Sequence, residues 1–343
     1  MRSQFKKSKR IVIKIGSSVL TGAKGQLDTD LIAKIVDQIS ALIKSGKEVV
    51  LVSSGAIASG MSELGFKCRP SKLSCLQASA AIGQSLLMQT YNNLFKKKNL
   101  RCAQVLLTWD DFHVRSRYLN AKETMIALLD YKAIPIINEN DTVSTEEIRR
   151  GDNDHLSALV ASLLEADLLI LLSDVDGLFS GKQLVSEVKN IDSDIRKLAK
   201  DTKKRHISRG GMLSKLDAVD IASHAGITSV IANGKANGII LKIIDGEKVG
   251  TLISLKADRM VAKKRWMAFG VKSNGKIFVD DGAKKALVEK NKSLLCPGVI
   301  RVEGNFDSGD VVSVVDKDGN EIAKGKVNFS YEEVNNIKGK KAT

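Results

Sequence analysis

Residues 10–22 read RIVIKIGSSVLTG. Ile11, Val12, Ile13 and Ile15 predict a strand that is apolar on both faces, the pattern of a buried parallel sheet. Lys14 stands inside that strand, two residues before a Gly-Ser-Ser turn. A lysine is seldom fully buried without a partner. Two explanations fit its position. It snorkels at the strand end, or it carries a positive charge to a phosphate cradled by the turn.

The surrounding chain makes the strand one of a series. Further apolar runs occur at 48–52 (EVVLV), 103–108 (AQVLLT), 133–138 (AIPIIN), 167–172 (DLLILL) and 227–232 (ITSVIA). Helical spacings lie between them, such as Leu31, Ile35, Ile39 and Leu42, or Leu156, Leu159, Val160, Leu163 and Leu164. This alternation predicts an α/β fold: a mostly parallel open sheet with helices on both faces, joined by right-handed crossovers. Ligands bind such sheets beyond the carboxyl ends of the strands. There the chain reads GSS, SSG, NENDTV and SDVDG. Any one of these is a good turn or cap; several together, beside Lys14, predict a site.

The pattern changes near residue 256. A charged stretch at 257–267 reads as a linker or helix, and short β-like runs follow at 276–280, 299–304 and 310–330, with Asp318-Gly319 as a hairpin signal. A helical segment at 282–290 interrupts them. The expected division is an α/β domain over 1–256, a linker over 257–267 and a small, mostly β domain over 268–343.

The chain has 343 residues, 43% hydrophobic and 27% charged, as expected of a soluble globular protein. No apolar run approaches the length of a membrane span. The basic N-terminus, residues 1–10, lacks the apolar core of a secretion signal and reads as a short solvated arm. The four cysteines form no CxxC pair and predict reduced thiols in a cytoplasmic protein. The net charge of +15 suits an anionic partner. From residue 268 onward there are 13 Lys and Arg against 11 Asp and Glu, so the excess lies in the first domain.

Three more clusters belong with Lys14. Ser53-Ser54-Gly55-Ala56 opens a helix start, either as a serine cap or as an anion site. INENDTV (137–143) and RRGDNDHLSALVA (149–161) hold more Asn and Asp than capping requires. Gly210-Gly211 leads into a helix whose early Lys215 opposes the helix dipole, unless an anion lies near. No GxxxxGK[ST] motif occurs and no protein-kinase signature, so a nucleotide enzyme of this sequence uses another fold.

Together these strings resemble the amino-acid kinase family, and within it the members that act on L-glutamate. The matching stretches are VIKIGSSVLTG, VVLVSSGAIASGMSELG, QASAAIGQSLLMQ, PIINENDTVSTEEIRRGDNDHLSALVA, LLILLSDVDGLFS and GGMLSKLDAVDIASHAGI, in family order. The tail, with VDDGAKKAL and PGVIRVEGNFDSGDVV, resembles a PUA domain. The resemblance implies transfer of the γ-phosphoryl of ATP, with Mg²⁺, to the side-chain carboxylate of L-glutamate, the first step of proline synthesis. It implies Lys14, Asp154 and Lys215 as catalytic. It implies nucleotide contacts at Lys14, Gly16, Ser173, Asp174, Arg209, Gly210, Gly211, Met212, Leu213, Ser214 and Lys215, with Gly16 and Gly211 offering backbone N–H groups. It implies substrate contacts at Ser54, Asn138, Asp141 and Asn153. Metal binding is expected through the ATP phosphates, with no protein ligand named. The family also implies a homo-oligomer, a dimer or tetramer. Arg209 and Ser173 depart from the family's usual Thr at each place. Rival readings are another carboxylate kinase of the same fold, or an RNA-binding protein that uses a kinase-like scaffold and the PUA-like tail.

Overall fold

A computed structural model describes residues 2–22, 25–144, 153–201, 211–254, 273–290 and 292–340. They form two compact units, one of Met1–Asp111 and Arg115–Met260, the other of Phe112–Val114 and Val261–Thr343. The stretch expected to be a linker lies outside the described residues.

The first unit is built on an eight-stranded sheet. Its strands are β1 (Arg10–Ile15), β2 (Glu48–Ser53), β3 (Arg101–Leu107), β4 (Ala133–Glu139), β5 (Leu168–Ser173), β8 (Glu187–Val188), β9 (Thr228–Asn233) and β10 (Thr251–Ile253). A two-stranded ribbon, β6 (Phe179–Ser180) and β7 (Gln183–Leu184), stands beside it in the chain. The order is β3-β4-β2-β1-β5-β9-β10-β8. All pairs are parallel except β9 with β10. The six apolar runs of the sequence are thus the six consecutive parallel strands. Strands β8 and β10 are too short to leave a pattern in the sequence.

β1 lies near the middle, with Lys14 paired to Val52 on one side and Leu171 on the other. Side chains alternate across a sheet. Ile11, Ile13 and Ile15 enter one core with Ile35, Ile39, Leu87, Tyr91, Phe95 and Ile243 from the helices Thr29–Lys44, Leu73–Lys96 and Ile239–Asp245. Lys14, out of phase with them, reaches Asp154 in the first turn of the helix Asn153–Leu163. That alternation explains how an ammonium group sits in an apolar strand.

The N-terminal arm exposes Ser3, Gln4, Lys6, Lys7 and Lys9 as expected, but it is docked rather than free. Arg2–Lys7 is a 3₁₀ turn, and Phe5 is fully buried in the same core. The Arg2 guanidinium donates to the carbonyls of Ser186, Glu247, Val249 and Gly250. One aromatic side chain and one fork of donors anchor a segment that composition alone marks as polar.

The second unit holds a four-stranded sheet in the order β12-β11-β13-β14, from β11 (Gly275–Val279), β12 (Val299–Gly304), β13 (Val311–Val315) and β14 (Glu321–Lys326). Gly319 has φ +84°, as the expected hairpin requires. Ile277, Val279, Val302, Phe306, Val312, Val314 and Val334 form its core. Val334 belongs to a terminal helix, Tyr331–Ile337, which the β-like reading of this region omits.

Candidate active site

The ends of β1, β2, β4 and β5 deliver their following residues to one edge of the sheet. Ile15 pairs with Ser53, so the two turns that follow lie side by side, and Ser54 N–H donates to Ile15 O at 3.2 Å. Gly55 takes φ +103° at the head of the helix Ala56–Glu63, a conformation that favours glycine. A cavity of about 250 Å³ opens there.

Eight of the residues expected at the site line this cavity: Lys14, Gly16, Ser54, Asn138, Asp141, Asn153, Ser173 and Lys215. Asp154 lies behind the wall. It is completely buried, and both lysines retain only 5% exposure. Lys14 is ion-paired to Asp154 Oδ1, and Lys215 Nζ lies 3.0 Å from Oδ2. Ser214 Oγ is 3.4 Å from the same Oδ2. Burial by itself would raise the Asp154 pKa. The charges of Lys14 and Lys215 and their hydrogen bonds outweigh burial and hold the carboxyl below its usual range. Two ammonium groups share one carboxylate, so the triad carries a formal charge of +1 at a cavity wall. An oxyanion entering the cavity meets that charge at short range and low dielectric.

The Asn-rich loops supply a second set. The two N–H donors of Asn153 Nδ2 are shared among Ser53 O (3.1 Å), Ser54 Oγ (2.9 Å) and Asn138 Oδ1 (2.9 Å). Asp141 is half-buried, and its carboxyl is pushed up to about 6 by desolvation, which the Arg69 guanidinium partly offsets.

Other expected residues stand apart from the lining. Asp174 accepts from Ser173 Oγ at 3.1 Å. Gly211 caps the helix Met212–His224, in which Met212 is buried and Leu213 half-buried. Arg209 and Gly210 lie outside the described residues. The N–H of Gly16 is committed to Leu172 O at 3.0 Å. The amides offered at that turn are therefore those of Ser17 and Ser18, which line the cavity at the start of the helix Ser17–Leu20.

Sequence reasoning missed Arg69 and gave no individual role to Ser17, Ser18 or Glu139, which lay in its candidate clusters; all four line the cavity. Arg69 follows Cys68 and precedes Pro70 between two helices, where no periodicity marks it. It is one of three cations in that loop, with Lys67 and Lys72, and nothing in the sequence singles it out. Glu139 was legible as the acidic member of INEND; it is buried and accepts from Ser144 Oγ at 3.0 Å.

Among the described residues, no cluster of three His, Cys, Asp or Glu side chains is placed to hold a metal ion. The chemistry on offer is charge compensation by two fixed ammonium groups next to a polar acceptor pocket. Comparison with known proteins agrees. The amino acid kinase family matches residues 9–233.

The chain belongs to the amino acid kinase family.

The PUA domain matches residues 275–343. Curated relatives span nearly the whole chain. A protein of Methylococcus capsulatus named glutamate 5-kinase is 47% identical over 97% of this chain and 90% of its own length. Another glutamate 5-kinase, of Caldanaerobacter subterraneus subsp. tengcongensis, is 47% identical over 96% and 90%. A third, of Thioalkalivibrio sulfidiphilus, is 46% identical over 98% and 91%. Membership in the amino acid kinase family accounts for the mostly parallel sheet, with its site at the carboxyl edge of β1, β2, β4 and β5.

Proposed function

We propose that this protein transfers the γ-phosphoryl group of ATP to the side-chain carboxylate of L-glutamate, giving L-glutamyl 5-phosphate for proline biosynthesis. The observation that carries the reading is the buried Lys14–Asp154–Lys215 triad on the wall of a small polar cavity. The acceptor carboxylate is itself the nucleophile. Its oxygen forms the new bond to the γ-phosphorus, and the bond from phosphorus to the β,γ-bridging oxygen breaks, leaving ADP. No protein base is needed. Catalysis then rests on positioning and on charge placed where negative charge develops. In this reading Lys14 and Lys215 face the phosphoryl oxygens, and Asp154 fixes both ammonium groups. Ser54, Asn138, Asp141 and Asn153 hold the amino acid. Ser173, Asp174 and residues 209–215 border the nucleotide. Mg²⁺, bound through the ATP phosphates, would supply further charge neutralisation there.

The division into 1–256, 257–267 and 268–343 belongs to the same reading and is supported by the two compact units. So do a cytoplasmic location, a homo-oligomer, and RNA as a partner of the PUA region. No described helix is long and apolar enough to cross a membrane. The four cysteines are free thiols.

Hydroxylamine trapping tests the activity. The expected result is ATP- and Mg²⁺-dependent hydroxamate from L-glutamate. Hydroxamate from N-acetyl-L-glutamate but none from L-glutamate overturns the substrate and favours another carboxylate kinase of this fold. Salt-dependent RNA binding without any ATP turnover favours the scaffold reading.

A further inference from the structure

The QASAAIGQSLLMQ stretch, residues 77–89, has no part in the mechanism above, yet the structure ties it to the acceptor pocket. Gln84 lies half-buried on the helix Leu73–Lys96. Its Oε1 accepts from Asn138 Nδ2 at 2.9 Å, and its Nε2 donates to Gln104 Oε1 on β3 at 3.1 Å. Asn138 Oδ1 accepts from Asn153 Nδ2 at 2.9 Å. Four carboxamides thus run head to tail, Asn153 to Asn138 to Gln84 to Gln104.

A carboxamide's two ends look alike in shape and differ only in what they can bond. Here two backbone groups decide the polarity. The N–H of Glu139 can only donate, and it bonds Asn138 Oδ1 at 2.9 Å. The carbonyl of Ser53 can only accept, and Asn153 Nδ2 bonds it at 3.1 Å. Asn138 must therefore turn its Nδ2 to Gln84, which must answer with Oε1. Asn153 must turn its Nδ2 to the β2 end, where it also meets Ser54 Oγ and Asn138 Oδ1, on two residues that line the same cavity. The carboxylate of Asp141, on the same lining, suits a cationic donor such as a primary ammonium.

We propose that Gln84 is a positioning residue for the phosphoryl acceptor. By accepting from Asn138 Nδ2 it fixes the Asn138 side chain, whose Oδ1 receives Asn153 Nδ2, and the two carboxamides together shape the pocket for an acceptor that carries a free ammonium group. The proposal rests on the reading of the cavity as the L-glutamate site.

The test is steady-state kinetics of hydroxamate formation by the full chain, with L-glutamate and with glutarate, which lacks the ammonium group. Gln84→Leu removes the acceptor and leaves the Asn138 donor unmatched. The KM for L-glutamate is expected to rise about tenfold or more, with the KM for ATP within about twofold. The preference for L-glutamate over glutarate falls by a similar factor. Gln84→Glu keeps an acceptor for Asn138 and restores most of the wild-type KM. Gln84→Ala, at a half-buried helical position, reads the same loss should the leucine variant fail to fold. An active wild type with an unchanged L-glutamate KM in Gln84→Ala overturns the proposal alone. So does a parallel loss for L-glutamate, glutarate and ATP, which marks general loosening of the fold. A wild type that forms no hydroxamate from L-glutamate overturns the substrate reading as well.

Discussion

The ammonium group of Lys215 lies 3.0 Å from the carboxylate of Asp154, 61 residues earlier in the chain. Lys14 takes the other carboxylate oxygen. A helix first turn, a central strand and a second helix first turn therefore meet on one buried anion, and the formal charge left over faces the cavity.

Asp154→Asn keeps the shape and removes the compensating charge. Breaking a buried pair by deleting one partner costs about 3–5 kcal/mol, so the variant should unfold at markedly lower urea than the wild type. Two unneutralised ammonium groups also bind anions more tightly. ATP or inorganic phosphate should raise the thermal midpoint of the variant more than that of the parent, as differential scanning fluorimetry would record. Because the folded-state value of Asp154 is lowered, its contribution is full above the unfolded value of about 4 and fades as pH falls from there toward the folded value.

Lys215→Ala tests charge placement during transfer. Removing one preorganised cation from a phosphoryl-transfer site should lower kcat by about 100-fold or more, with the KM for L-glutamate changed by less than about threefold. An unchanged kcat would assign Lys215 to structure alone.

Asp141 gives a pH signature. Its carboxyl titrates at about 6, above the usual 3.8. A substrate ammonium group needs the ionised form, so the KM for L-glutamate should climb up to tenfold per unit as pH falls below about 6. Asp141→Asn should abolish that limb. Arg69→Gln removes the charge that opposes the rise and should move the limb to higher pH. The fold itself responds in the opposite sense. A carboxyl with a raised value stabilises the folded state most when protonated, and that contribution is lost as pH rises through about 6.

Gly60 and Gly83 form the crossing between the helices Ala56–Glu63 and Leu73–Lys96. A Cβ at Gly83 would lie 1.8 Å from Ala56 O, and one at Gly60 would lie 1.8 Å from Ser79 O. Gly83→Ala must push apart two backbones, at about 3 kcal/mol. Since Ala56, Ile57 and Ala58 line the cavity, the same variant should weaken L-glutamate binding. Urea denaturation and the KM for L-glutamate would show both effects.

Much of this was legible in the sequence, for identifiable reasons. Strands buried on both faces leave unbroken apolar runs, so all six parallel strands showed. Lys14 showed because a cation in such a run needs an explanation. The docking of Phe5 did not, since one aromatic among lysines gives no period. The antiparallel β10 is three residues long and paired only through tertiary context. The final helix carried a readable sign that went unused: Ser330 and Glu333 form a capping box. Arg69 was hidden because a loop residue owes its place to folding, not to spacing. The polarity of the Asn153–Asn138–Gln84 relay was beyond any reading of residue types, because two backbone groups set it.

The sheet order has a consequence during synthesis. β1 emerges from the ribosome first among the strands, yet it ends between β2 and β5. Its second neighbour is complete only when Ser173 has been made. At ordinary translation rates that interval is roughly 10–30 s. Throughout it, one edge of an all-apolar strand lacks its final partner, and Lys14 lacks Asp154 until the chain has passed residue 154. The strand that carries Lys14 thus keeps one edge unpaired for longer than any other interior strand of the sheet.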